Sequence, residues 1–399
     1  MISRLTATTT AISDRSGLVI AGLRAKTDHA CRALSNFSTP IKLANRDIAN
    51  QFKELIVEAE KIALENISGK IFINVTYVGG GSDTYAYSPG DRLAKKGVTV
   101  IPKDTDYFIV STGSLGRKDD FVIDSDADFV VFPANEDSIH FAQALQKEIT
   151  AVLHELLGQN SLPYKTDEIM TGTYNYHIPP ERVPSELLTP YVDEFDCEFG
   201  MTIKRKSIAP DTFRDMEFIS GNKQAYNRLV ELTTPVLYPY DQAGNITNQQ
   251  GDELVRNSLD EVRCYKSDKF NIRRGIPDFK GNTLRPFQYF TWIVRAREGI
   301  KTGSVFETLE TRAQRGKMGD SEAESLASDY DFLLRAKSAL AIVRQKVIPL
   351  RREEKPSLGL DIQPQIAESM GLNLEGFQTA CQAHIHDSIK IIASGLEFK

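Results

Sequence analysis

The chain is poor in cysteine: its four, Cys31, Cys197, Cys264 and Cys381, lie far apart and form no C-x-x-C pair. That spacing supports neither a zinc site nor a disulfide framework, and it points to a reducing compartment, the cytoplasm. Long apolar runs are missing as well, and none approaches the roughly 18 residues of a membrane span. Gly17–Leu23 is short for a secretory signal and is followed by Arg24 and Lys26 without a small-residue cleavage pattern, so a helical lead-in is expected. The Thr/Ser-rich start leaves an unusual targeting tail as the alternative. An excess of positive charge is also lacking. The 48 Lys and Arg against 54 Asp and Glu give a net charge of −6, which argues against nucleic acid as the main partner and leaves only a local basic groove. Repeats, low-complexity tracts and coiled-coil heptads are absent from the sequence.

What remains is the composition of a globular protein, 41% hydrophobic with a mean hydropathy of −0.30. At 399 residues the chain exceeds the usual single core, so two or three domains are expected. From Leu43 to Asn66, apolar residues recur three and four apart, the spacing of an amphipathic helix. Lys70–Val78 alternates as a strand, Gly79 to Asp83 closes it as a turn, and the stretch from Tyr85 to Gly97 is a surface hairpin or a mobile lid. Strands over Tyr107–Ser111 and Phe129–Phe132 and a helix over Ser138–Leu157 follow. After about Asp211 the pattern is helical, clearest over Asn222–Leu232, Pro286–Glu298, Val305–Gln314 and Ser321–Arg351. The expected architecture is α+β: a helical lead-in over 1–69, a sheet-containing domain over 70–212 with a mixed sheet and flanking helices, and a helical bundle over 213–399.

One constellation carries chemistry. Gly113-Ser114-Leu115-Gly116-Arg117 follows the 107–111 strand, and Asp126-Ala127-Asp128 runs into Phe129-Val130-Val131-Phe132. Gly113 lets backbone approach a phosphate without an intervening Cβ, Ser114 adds a hydroxyl donor, and Gly116 keeps the turn tight. Arg117 offers a planar, permanently charged fork for phosphate oxygens, with Lys118 as a point charge beside it. Side chains two apart on a strand share a face about 6–7 Å apart, so Asp126 and Asp128 are spaced to ligate Mg²⁺ or Mn²⁺. Ser125 is placed to brace one of them. Each half alone is common, as a surface turn or a solvated acidic strand edge; their order and spacing together are not.

This constellation resembles the DNA polymerase β-type nucleotidyltransferase superfamily. In particular G-S-L-G-R…S-D-A-D is similar to the G-G/S-x-G-R-x-E…S/T-D-x-D of the PII uridylyltransferase, of the glutamine synthetase adenylyltransferase, and of related nucleotidyltransferases with a helical substrate-binding domain. One residue is inserted between Arg117 and Ser125 relative to that pattern, and Asp119 or Asp120 stands where the family has Glu. Asp215-Met216-Glu217-Phe218-Ile219-Ser220-Gly221-Asn222 is similar to the D-x-R-x-L/V-x-G-D that opens the family's helical region. Phe270–Gly275 with Thr283-Leu284-Arg285 and Trp292 is similar to N-I-K-x-G…L-R-D…W, with Pro286 in place of the Asp. Ser328–Leu340, with Tyr330, Phe332-Leu333-Leu334 and Arg335, looks like the family's A-Y-x-F-L-L-x-x-R helix.

The resemblance spans residues 100 to 365. It implies a metal-dependent enzyme moving a nucleoside monophosphate from a nucleoside triphosphate onto a protein hydroxyl, with Gly113, Ser114, Gly116, Arg117 and Lys118 on the nucleotide and Asp126 and Asp128 on metal. A third catalytic carboxylate is expected. Glu198 is favoured over Asp196, with Asp167, Glu168 and Asp215 as rivals. Transfer to a small molecule or second nucleotide is the alternative, and a non-catalytic nucleotide-binding module the third reading. No phosphohydrolase or paired ligand-sensing domain is expected to follow. Elsewhere, His384 and His386 fit an amphipathic helix with exposed imidazoles. Thr173–His177 either stacks a base or packs in the core, and the basic cluster from Arg344 to Lys355 reads as a solvated helix face.

Overall fold

The spacing of Ile48, Phe52, Leu55, Ile56, Ala59 and Ala63 puts them on one stripe, and all are buried on the longest of the N-terminal helices. In a computed structural model, which describes residues 14–76, 82–88, 97–123, 125–164, 177–187, 192–196, 201–205, 213–263, 279, 283–347 and 362–396, that helix spans Ile41–Ile67 (α2) and packs along Asp14–Ala33 (α1). The chain is mixed α+β and mostly helical. Strands Ile71–Thr76 (β1), Ser82–Tyr87 (β2) and Val98–Val100 (β3) form one sheet in the order β2-β1-β3.

Strand Tyr107–Ser111 (β4), the short helix Gly113–Arg117 (α3), strand Phe129–Pro133 (β5) and helix Ile139–Gln159 (α4) follow. Next come helix Val183–Leu187 (α5), the hairpin of Val192–Asp196 (β6) with Met201–Arg205 (β7), and strand Glu217–Gly221 (β8). The rest is helical: Lys223–Leu237 (α6), Gln249–Arg263 (α7), Arg285–Glu298 (α8), Val305–Gln314 (α9), Asp320–Val347 (α10), Gln363–Ser369 (α11) and Leu374–Leu396 (α12). Among the described residues no helix is long and apolar enough to cross a membrane.

The second sheet, β5-β4-β8, organises the molecule. β4 is its centre, pairing Ser111 with Phe129 on one side and with Glu217 on the other. Alternation sends Ile109 and Val131 into a core that runs without a break through α2 and α4 to Phe287, Tyr330 and Phe377 of the C-terminal helices. Phe108, Val110, Val130 and Phe132 face the other way, against Phe213 and α6 residues Leu229 and Val236. Both faces are thus covered, which suits the unbroken apolar run Phe129-Val130-Val131-Phe132.

Several elements depart from the sequence expectation. All pairing among the described strands is antiparallel, not mixed. Ser82 and Asp83, read as part of a turn, open β2. Their polar neighbours are satisfied there by α4: Lys147 reaches Asp83 at 2.9 Å, and Thr84 bonds His140 and Gln143, each at 2.8 Å. Residues 77–81 and 89–96, including most of the candidate lid, lie outside the described residues. Within the block 215–222, expected to open a helix, Glu217–Gly221 is instead β8, because the free edge of β4 offers it a backbone ladder. Only at Asn222 does a helix begin, its side chain accepting from Ala225 N at 2.9 Å. The matched segment 270–275 lies outside the described residues, as do Arg351, Arg352 and Lys355. His386 is exposed on α12 as expected, but His384 is not a free surface imidazole: it is half-buried and bonds Asp329.

Candidate functional site

β4 delivers its last residues to a turn whose conformation the two glycines make possible. Thr112 N donates to Asp128 O at 3.0 Å, tying the turn to the chain entering β5. Gly113 follows at φ +56°, and a Cβ there would meet Asp128 Oδ2 at 2.4 Å. The Asp128 carboxylate therefore lies directly against the Gly113 backbone. At Gly116 a Cβ would stand 1.9 Å from the carbonyl oxygen of Asp215, so this glycine is required by the close approach of the chain leading into β8.

Asp126 and Asp128 are half-buried on either side of the buried Ala127, the alternation that the sequence implied. They occupy the extended segment before β5 and not the strand itself. Ser125, read as a brace for a carboxylate, instead closes its own loop, its Oγ accepting from Val122 N at 3.1 Å.

The basic residues of the motif are directed elsewhere than the sequence suggested. Arg117 does not extend toward solvent and phosphate: its Nη1 donates to Asp215 Oδ2 at 2.7 Å and its Nε to Asp120. Burial alone would lower its pKa, but Asp120 and Asp215 outweigh that and hold the guanidinium charged more firmly than usual. Asp120 also accepts from Tyr330 Oη at 2.5 Å and Gln288 Nε2 at 3.0 Å. Asp215, a rival for third acid, also accepts from Arg295 Nη1 at 3.0 Å. This buried network links the turn to α8 and α10. Burial, and then the Asp120 charge, push the Tyr330 phenol well above its ordinary range.

The neighbouring Asp119 is wholly buried and accepts from Arg46 and Ser304. Burial raises its pKa, with both hydrogen bonds opposing. Asp119 and Asp120 are thus each sealed into a different contact with the helices.

Lys118 sits at φ 61°, and Asp119 N donates across it to Arg117 O at 2.6 Å, closing a γ-turn of positive φ. For a residue with a Cβ such a turn costs of order 1–3 kcal/mol and persists only when its surroundings hold it. Here the hold is the Lys118 ammonium, 2.7 Å from Glu217, whose other oxygen takes Lys53. Burial would raise the pKa of Glu217, but the bonds from Lys118 and Lys53 prevail and lower it.

Glu217 was not singled out in the sequence, and its only signal was its place two residues after Asp215. It does not complete the acidic pair. Through its partner Ser111 it falls on the Ile109 face of the sheet, whereas Asp126 and Asp128 share the parity of Val130 and the opposite face. Glu198, Asp167 and Glu168 lie outside the described residues, and Asp196 ends β6. Among the described residues no group of three His, Cys, Asp or Glu is clustered for a metal.

What the geometry brings together is therefore Gly113 and Asp128, with Ser114 next to the one in the chain and Asp126 two residues before the other. Two partly exposed carboxylates are hard oxygen donors, and the space beside Asp128 is the space a side chain at residue 113 would fill. That donor set fits Mg²⁺ or Mn²⁺. No protein-family model matches the chain, and no curated protein matches it either.

Proposed function

We propose that the chain is a metal-dependent nucleotidyltransferase with a polymerase β-like core. On this reading it moves a nucleoside monophosphate from a nucleoside triphosphate to a protein hydroxyl and releases pyrophosphate. The observation that supports this reading is the contact of the Asp128 carboxylate with the Gly113 backbone. Asp126 and Asp128 would hold the cation, which when bound neutralises the triphosphate and the departing pyrophosphate. Gly113 and Ser114 would take phosphate oxygens through backbone N–H groups and the hydroxyl. The ion pairs of Arg117 and Lys118 make them holders of the turn instead of phosphate ligands. The test is incubation with lysate, Mn²⁺ and nucleotides labelled at the α phosphate. Labelled protein that disappears in Asp126→Asn/Asp128→Asn supports the reading, and labelling equal in the variant rejects it.

The same two ion pairs favour one second reading. A site whose cations are already neutralised suits a module that binds nucleotide without turning it over. Metal-dependent binding of triphosphate without pyrophosphate release would decide for it, while release with labelled small products would point to a small-molecule acceptor.

A further inference from the structure

Away from the acid pair, the loop between α1 and α2, the start of α2, and one face each of α9, α10 and α12 enclose a cavity of about 320 Å³. Its walls are aromatic. Phe37 stacks on Phe332 with centroids 6.3 Å apart at 17°, and Phe306 forms a third side. Those walls are held in place from beneath. Arg335, wholly buried, donates to the carbonyls of Ala33, Leu34 and Thr39 and lies 5.0 Å from the Phe37 ring, so the loop bearing Phe37 is fixed to α10.

The charges around the cavity are unevenly matched. Asp331 is consumed by Arg335 at 2.7 Å and by Ile41 N at 2.7 Å. Asp329, buried, accepts from Ser388 at 2.8 Å and bonds His384 Nδ1 at 2.6 Å. A carboxylate only accepts, so Nδ1 carries the proton and the ring is fixed with Nε2 on its other edge. The imidazole lies 4.3 Å from the Phe332 ring and lines the cavity, and its Nε2 has no partner among the described residues. Lys42 lies 4.7 Å over the Phe306 ring, with no carboxylate partner among the described residues. A cavity with aromatic walls and a cation with no matching acid has the composition of a site for a flat anion.

We propose that this cavity binds a planar aromatic acid of one or two fused rings, the ring against the Phe37, Phe332 and Phe306 side chains and the anionic group at Lys42. The inference does not depend on the nucleotidyl-transfer reading. The probe is 2-naphthoate, titrated calorimetrically into the full chain. The expected result is saturable one-to-one binding, with uncharged 2-naphthamide and non-aromatic cyclohexanecarboxylate each at least tenfold weaker. Lys42→Met and Phe37→Ala, at half-buried and exposed positions, are each expected to weaken 2-naphthoate at least fivefold while the chain stays folded by far-UV circular dichroism. Absence of saturation at roughly millimolar probe, equal affinity for the amide, or affinity untouched in both variants overturns the proposal.

Discussion

Replacing Arg117 with Met tests whether the motif's arginine belongs to the fold or to a ligand. In the structure its side chain is 15% exposed and pairs with two acids, Asp120 at 2% and Asp215 at 7%. Removing one partner of a buried pair costs about 3–5 kcal/mol because the remaining charge is stranded. Here the strandedness is partial: Asp120 keeps Tyr330 and Gln288, and Asp215 keeps Arg295. The expected loss is therefore at the low end, about 3 kcal/mol. Arg117→Lys keeps the charge but not the fork that spans both acids, and should lose about 1–2 kcal/mol. Urea unfolding followed by far-UV circular dichroism, with the slope unchanged, measures both. A loss below about 1 kcal/mol for Arg117→Met, the value of an exposed pair, would refute the argument and return the guanidinium to solvent, where phosphate could meet it.

Gly116→Ala must displace the chain at Asp215, since the new Cβ would stand 1.9 Å from a carbonyl oxygen. Destabilisation of at least about 2 kcal/mol is expected by the same unfolding assay. His177 is buried against Val131 O, and burial pushes its pKa down to about 4. A depressed histidine contributes stability that is complete above the unfolded value of about 6.5 and is lost as pH falls toward 4. A decline of roughly 3 kcal/mol across that window is therefore expected, and it should be flattened in His177→Gln. Asp126→Asn should leave the far-UV circular dichroism of the folded chain unchanged while removing nucleotide transfer. Unchanged transfer would exclude Asp126 from the chemistry.

The elements most legible in the sequence were those whose pattern is local. The stripe of α2 and the helix Val305–Gln314, whose N-cap Ser304 accepts from Glu307 N, follow from side-chain spacing and capping alone. β8 was not legible, because Glu-Phe-Ile-Ser-Gly is short and becomes a strand only where β4 supplies an edge. The acid pair and the glycines were legible because their chemistry is written in adjacent residues. The destination of Arg117 was not: a sequence shows a cation, while its partner Asp215 lies 98 positions away and reaches it only through the fold. The Asp329–His384 pair was hidden for the same reason, its members being 55 positions apart on two helices.

The claim that Gly113-Ser114 and Asp126/Asp128 form one metal–triphosphate site is tested most directly by a crystal structure of the chain with Mn²⁺ and a triphosphate analogue that cannot be cleaved between the α and β phosphates. The account predicts anomalous density for Mn²⁺ between the Asp126 and Asp128 carboxylates, with the phosphates over Gly113 and Ser114 and the Arg117–Asp120–Asp215 network intact. Triphosphate bound away from that turn, or Mn²⁺ absent from both carboxylates with nucleotide present, would contradict it.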